Sequence, residues 1–285
     1  MLGGRVARTV DSRRRLVGVA VTETFQITPE QAEAYEQLFV PALFAQWASP
    51  LVGIAQVVPG QHVLDVACGT GVAARAAADI VGDTGAVVGV DVNPAMLAVA
   101  ARIRPDIQWL EGDAANLPFE SGRFDAVLCQ SALFFFPDVP AVIAEMARVL
   151  RPRGVLAIQT YASVEDQPGF RDLEAIAAKF APADAMHLIE TYWSQGDLSA
   201  LSATLADAGL QVIETRTVLG TAMYGSVENL VETEIKGTPL VGQLTEEQIE
   251  QILAESKVTL DRFETSDGLL AMPITAHLVA GRRTS

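Results

Sequence analysis

Val63-Leu64-Asp65-Val66-Ala67-Cys68-Gly69-Thr70-Gly71 is the stretch that decides the fold. Its first residues are mostly apolar, as a strand buried on both faces requires. The chain then breaks at Gly69-Thr70-Gly71 and enters the alanine-rich segment from Val72 to Val81, a strong helix former. Strand, glycine turn and helix N-terminus in this order form a nucleotide-binding crevice. Gly69 and Gly71 give the backbone unusual torsions and let a ligand approach with no Cβ in its way.

The turn alone leaves two ligands open, because Gly69 to Ala74 also satisfies the G-x-G-x-x-A form of the dinucleotide fingerprint. Asp65 separates them. At the mouth of the turn a carboxylate repels a pyrophosphate, by about 1 to 4 kcal/mol for like charges a few Å apart near a surface. It attracts a cation, and S-adenosylmethionine offers a sulfonium and an ammonium without any phosphate. Asp91 follows Gly71 by 20 residues, the offset at which an acidic side chain meets ribose hydroxyls. That feature suits either adenosine-bearing ligand. Asp113, in Glu111-Gly112-Asp113-Ala114, can accept from an adenine amino group while the Ala114 N–H donates to a ring nitrogen; a turn Asp bonded to its own backbone fits the same pattern. Three carboxylates after successive strands build a negative site, better matched to a sulfonium than to a pyrophosphate.

The 285 residues are half hydrophobic and carry a net charge of −15. That composition suits an ordered, soluble protein and argues against a nucleic-acid partner. No uninterrupted apolar run reaches the length of a membrane span. Cys68 and Cys129 are the only cysteines; they suggest neither a disulfide framework nor a metal site, and a reducing cytoplasmic setting is expected. Residues 1–22 are read as a flexible basic extension, with five arginines against Asp11.

Thr28-Pro29-Glu30-Gln31 is a helix start, and the apolar spacing through Trp47 continues it, with Pro41 expected to kink or divide it. Residues 23–58 are thus read as helices covering the site. Over 59–162 strands at Val63–Ala67, Val87–Asp91, Ile107–Glu111, Phe124–Cys129 and Val155–Tyr161 alternate with helices, the pattern of a doubly wound parallel sheet. Residues 163–197 read as a helical lid insertion. Residues 198–285 supply a helix, strands at 210–219 and 269–281, and a helical insertion at about 226–262.

Five stretches carry a family resemblance: Val63 to Gly71, Val88 to Leu97, Glu111 to Phe119, Phe124 to Gln130 and Ala147 to Val155. In this order they resemble the motifs of class I S-adenosylmethionine-dependent methyltransferases, of the type used in ubiquinone and menaquinone biosynthesis. The resemblance is clear over about residues 30 to 161. It implies a Rossmann-like α/β fold, a mostly parallel seven-stranded sheet with helical lid insertions. By the same resemblance Asp65, Ala67, Gly69 and Gly71 hold the methionine part of the cofactor, and Asp91 the ribose. Val92 and Met96 pack near adenine, Asp113 and Ala114 read its edge, and Gln130 closes the site. One departure stands out. Where many relatives have His or Tyr after the fourth strand, this chain has Ser131-Ala132-Leu133-Phe134-Phe135-Phe136, which fits an apolar acceptor pocket or ordinary core.

Methyl transfer from a sulfonium needs alignment and exclusion of water more than a base. Tyr35, Phe39, Trp47, Phe135, Tyr161 and Trp193 are the expected pocket-lining residues. Among the histidines, His62 and His277 read as structural, leaving His187 as the candidate base. The function expected is methyl transfer to O, N or C of a small, fairly apolar metabolite. The alternatives are an NAD(P)-dependent oxidoreductase and a non-catalytic cofactor-binding protein of the same fold.

Overall fold

The computed structural model describes residues 27–182, 186, 190–236 and 243–284. Three helical segments come first: α1 (Pro29–Ala34), a π-helical stretch (Tyr35–Phe44) and α2 (Ala45–Ile54). The core then alternates β1 (His62–Val66), α3 (Val72–Val81), β2 (Ala86–Asp91), α4 (Pro94–Ile103), β3 (Gln108–Glu111), β4 (Phe124–Gln130), α5 (Val139–Val149) and β5 (Leu150–Tyr161). The chain continues through α6 (Pro168–Phe180), α7 (Leu198–Asp207), β6 (Leu210–Tyr224), α8 (Val227–Lys236), α9 (Glu246–Leu260) and β7 (Leu270–Arg283).

The seven strands form one sheet in the order β3-β2-β1-β4-β5-β7-β6. Pairings from β3 through β5 are parallel, and β7 runs antiparallel to both β5 and β6. Strand order reverses between β1 and β4. Open sheets of this kind bind ligands beyond the carboxyl ends of the strands at such a reversal. The sheet is therefore the mostly parallel seven-stranded one expected from sequence. β5 begins earlier than expected, at Leu150, because a register shift between Phe124 and Ala126 lets Arg151–Gly154 join the strand.

Pro41 explains the π segment. It has no N–H to donate and its ring crowds the preceding turn, so the helix widens around it instead of breaking. Uninterrupted apolar runs alone do not mark it, but as one helical run Pro29–Ile54 is long and apolar enough by length and composition to cross a membrane; 56% of its most apolar window is buried in this protein. Ile27 and Ala32 pack on Met96 and Val99 of α4, and Glu36 pairs with Arg75 of α3 at 3.0 Å. Gln46 bonds both ways to Thr221 of edge strand β6 at 3.0 Å, which occupies part of an otherwise unpaired edge. Trp47 is fully buried against Gly220, where a Cβ would lie 2.5 Å from the indole ring.

Candidate active site

Two residues with strained backbone mark the reversal point. Ala67, after β1, has φ +53°, and Ser131, after β4, has φ +50°. Left-handed torsions at residues with a Cβ cost of order 1 to 3 kcal/mol and persist where the surroundings enforce them. Both residues line a cleft enclosing about 640 Å³ of empty space, open solvent at its mouth included. Its floor comprises Ala67, Gly69, Asp91, Asn93, Met96 and Gln130; Ser131 and Ala132 rise beside Gln130. The walls are aromatic, with Tyr35, Phe39 and Phe44 from the π segment facing Phe135 and Tyr192.

The floor is built by backbone amides gathered on carboxylates. Asp91 ends β2 and is nearly buried; its Oδ2 accepts from the Gly69 N–H at 2.7 Å and its Oδ1 from the Asn93 N–H at 2.9 Å. Burial raises its pKa above the ordinary carboxylate value, against these amide bonds. Asn93 in turn caps α4 through its side-chain oxygen. Gln130 donates from Nε2 to the Phe44 carbonyl at 3.0 Å, tying the π segment to the end of β4. Ser131 donates to Gln159 Oε1 at 2.5 Å. Asp91 is the one charged side chain among the lining residues. Arg75, the nearby cation, is held by Glu36 and by the Thr70 carbonyl at 2.8 Å.

Several residues read from sequence as ligand contacts stand elsewhere. Asp65 does not line the cleft: it is 1% exposed, its Oδ2 accepts from the Ala74 N–H at 2.8 Å, and its Oδ1 is buried without a hydrogen-bond partner. Burial, with the Asp91 charge adding to it, pushes this carboxyl up to about 7. Gly71, at φ +88°, caps α3, but the space beside it belongs to a protein ring; a Cβ there would lie 2.3 Å from Trp109 of β3. Gly69 is different, with nothing closer than Tyr35 at 3.9 Å, so the open approach for a ligand is at this glycine. Asp113 is exposed and accepts from the Ala115 N–H at 2.8 Å, the turn arrangement that the sequence also allowed. Val92, Asp113 and Ala114 flank the floor without lining it.

Of the expected pocket aromatics, Tyr35, Phe39 and Phe135 line the cleft. Trp47, Tyr161 and Trp193 form a second tier. Tyr161 lies 5.7 Å from Trp193 and 6.3 Å from Phe134, ring centre to ring centre. His277 is structural as expected, bonded to Thr217 Oγ1 and the Gly196 carbonyl. His187 lies outside the described residues. Phe44, Asn93 and Tyr192 are lining residues that sequence reading missed, and Ser131 and Ala132 line the cleft from the run read as acceptor pocket or core. Asn93 was legible as a helix cap and Ser131 as the first residue after a strand end; nothing local signals Phe44 or Tyr192.

The donor set fits an adenosyl sulfonium. The Gln130 Oε1, Asn93 Nδ2 and Thr70 Oγ1 atoms around the floor are buried without hydrogen-bond partners in the protein, and a buried polar atom left so costs about 1 to 3 kcal/mol. A carboxylate with neutral polar groups and no free cation among the described lining residues matches a positively charged ligand and offers a pyrophosphate nothing.

Fold and site define a class I S-adenosylmethionine-dependent methyltransferase. A methyltransferase-domain family model matches residues 64–158. A demethylmenaquinone methyltransferase from Renibacterium salmoninarum is 34% identical over 185 residues, 61% of this chain and 77% of that one. A 2-phytyl-1,4-naphtoquinone methyltransferase from Synechocystis is 35% identical over 164 residues, 54% and 66% of the two chains. In fold, the chain is similar to phosphoethanolamine N-methyltransferase 2 from Haemonchus contortus in complex with S-adenosyl-L-methionine, with TM-score 0.57 and 17% identity over 90% of this chain and 58% of that one. The chain belongs to the methyltransferase family of ubiquinone and menaquinone biosynthesis. It is an enzyme that uses S-adenosylmethionine, and the oxidoreductase reading finds no support.

Proposed function

We propose that this methyltransferase acts on a small, apolar, quinone-like aromatic acceptor held between the two aromatic walls of the cleft. The observation that carries the reading is the division of that cleft: one carboxylate among neutral polar groups on the floor, and rings facing each other above it. The names of the relatives from Renibacterium and Synechocystis support the acceptor class.

On this reading Asp91 accepts from the ribose hydroxyls, and Ala67 and Gly69 take the methionine part. Asn93 and Met96 flank the adenine, with Asp113 and Ala114 at its edge. Asp65 contributes from behind the turn, by fixing the start of α3 through the Ala74 N–H. The cofactor, when bound, supplies the methyl group and its leaving group. The chain's own residues do the rest. Gln130 fixes the π segment over the floor, and Tyr35, Phe39, Phe44 and Phe135 exclude water and hold a planar acceptor in line.

Calorimetric titration with S-adenosylmethionine, S-adenosylhomocysteine and NADH tests the floor, and methyl transfer to dithionite-reduced 1,4-naphthoquinone, followed by mass spectrometry, tests the acceptor. Saturable binding of both adenosyl ligands and a mass gain of one methyl group on the naphthalene ring are expected. Adenosyl binding without transfer to any aromatic hydroxyl compound overturns the acceptor class.

A further inference from the structure

Strand β5 is apolar from Val155 to Ile158 and then ends in Gln159, Thr160 and Tyr161, all of them buried. Polar side chains in a sheet interior persist when something engages them. Gln159 lies in the middle of the sheet, in register with Gln130 of β4 and Leu278 of β7. It holds Ser131, the first residue beyond β4, at two points. The Gln159 carbonyl accepts from the Ser131 N–H at 3.0 Å, and Gln159 Oε1 accepts from the Ser131 hydroxyl at 2.5 Å. The two bonds enforce the left-handed backbone of Ser131, at φ +50°. Gln159 Nε2 is buried without a partner, a cost that an apolar residue at this position would avoid. A glutamine here is explained by what it does to Ser131.

A serine hydroxyl has one proton and two lone pairs. At Ser131 the proton is directed inward, to Gln159. The Tyr161 hydroxyl is on the inner side as well: burial raises this phenol, and Ser131 and Trp47 beside it oppose the rise. Neither the Tyr161 hydroxyl nor the Trp47 indole N–H, a group that can only donate, has a hydrogen bond of ordinary geometry in the protein. The inner side of Ser131 Oγ therefore faces a donor, and what the residue offers to the cleft is a lone pair. Ser131 lines that cleft between Gln130 on the floor and Phe135 of the aromatic wall. Gln130 Oε1 beside it is a second oxygen without a partner, and no cation is among the described lining residues. This edge of the cleft accepts protons in hydrogen bonds and has none to give.

We propose that Ser131, held by Gln159, is a specificity-determining residue that accepts a hydrogen bond from a hydroxyl on the ring of the methyl acceptor; this rests on the aromatic acceptor class proposed above. A ring bearing a hydroxyl gains the bond. A methyl ether of nearly the same shape sets its own lone pair against Ser131 Oγ and gains nothing.

The test measures binding of 2-naphthol and of 2-methoxynaphthalene to the full chain saturated with S-adenosylhomocysteine, as wild type, S131A and Q159L. The readout is the ratio of the two affinities. S131A removes the oxygen and keeps a Cβ, and it is expected to lower the naphthol-to-ether ratio about fivefold, as for one neutral hydrogen bond. The fall is expected in naphthol binding, with ether and S-adenosylhomocysteine affinities nearly unchanged. Q159L keeps the serine and frees its proton, which can then be donated to either ligand, so the ratio should fall there too; the melting temperature shows whether this variant keeps its fold, and S131A decides alone if it does not. In methyl transfer to reduced 1,4-naphthoquinone, S131A is expected to lower kcat/KM about fivefold, chiefly through KM. A ratio that survives in S131A overturns the proposal. A loss of S-adenosylhomocysteine affinity in S131A also overturns it, by placing Ser131 on the cofactor. If S131A removes the preference but the wild type methylates no aromatic hydroxyl compound, the acceptor class fails while the Ser131 site stands. Binding of neither naphthalene by the wild type overturns both.

Discussion

The floor of the cleft and its aromatic cover are built from different kinds of information. The floor is local. Asp91, Asn93 and Gly69 meet through hydrogen bonds made at strand ends, and β-α connections a few residues long position each of them. The cover is assembled from afar: Phe44 is tied to Gln130 across 86 residues, and Tyr192 meets Phe135 from the segment after α6. The floor can be read as consecutive motifs, and it serves any adenosyl ligand. The cover depends on packing between segments, and it selects what receives the methyl group. Substitutions should therefore separate the two, with the floor changing cofactor affinity and the cover changing stability or acceptor affinity.

The largest effect is expected where the cover is anchored to the sheet. Trp47 is buried to 1% exposure and its ring fills the space beside Gly220. Trp47→Ala should lower unfolding free energy by about 3 to 5 kcal/mol, the usual cost of deleting a buried indole. Guanidinium unfolding checks this. A loss below 1 kcal/mol, together with weakened acceptor binding, would return Trp47 to the pocket lining.

On the floor, Asp91→Ala should weaken S-adenosylhomocysteine binding at least 100-fold, about 3 kcal/mol for two charge-assisted hydrogen bonds, while the circular dichroism spectrum stays unchanged. Calorimetric affinity within threefold of wild type would defeat the ribose assignment and leave Asp91 as a scaffold for the Gly69 and Asn93 amides.

Asp65 gives a pH dependence with a definite sign. Its folded pKa is about 7, above the unfolded value of about 3.9. Between these values the folded state holds the proton that the unfolded state has lost, so stability falls as pH rises from about 4 to 7, by at most about 1.4 kcal/mol per unit from this group. Asp65→Asn should flatten that part of the stability curve measured by urea unfolding. An unaltered slope would mean that Asp65 is ionised in the folded protein.

Much of the molecule was legible in the sequence because its determinants are short-range. Alternation of apolar strands and helices marked out the parallel core, and Thr28 signalled a helix start through its side-chain cap. What could not be read was whatever a residue far along the chain supplies. Gly71 is a fingerprint glycine, yet the ring that needs its missing Cβ is Trp109. Asp65 has the identity of a ligand-facing carboxylate, yet helix α3 closes over it through Ala74. Pro41 signalled a disturbance in its helix, but not that the wider turns would present Phe44 to the cleft.

The smallest effect sharpens the comparison most. Phe135 is half-buried and lines the cleft against Tyr192, with its ring 4.5 Å from Phe134. Truncation to alanine removes one side of the wall without opening the core, because Phe134 remains buried behind it. Phe135→Ala should raise the acceptor KM about five- to tenfold, roughly 1 kcal/mol as for one aromatic contact, with kcat, melting temperature and S-adenosylhomocysteine affinity nearly unchanged. The pairing of readouts decides the outcome. If acceptor KM rises and cofactor affinity falls together, the wall also holds the cofactor, and floor and cover are one site. If stability falls instead, Phe135 belongs to the core behind Phe134, and the cleft selects its acceptor from the Tyr35 side alone.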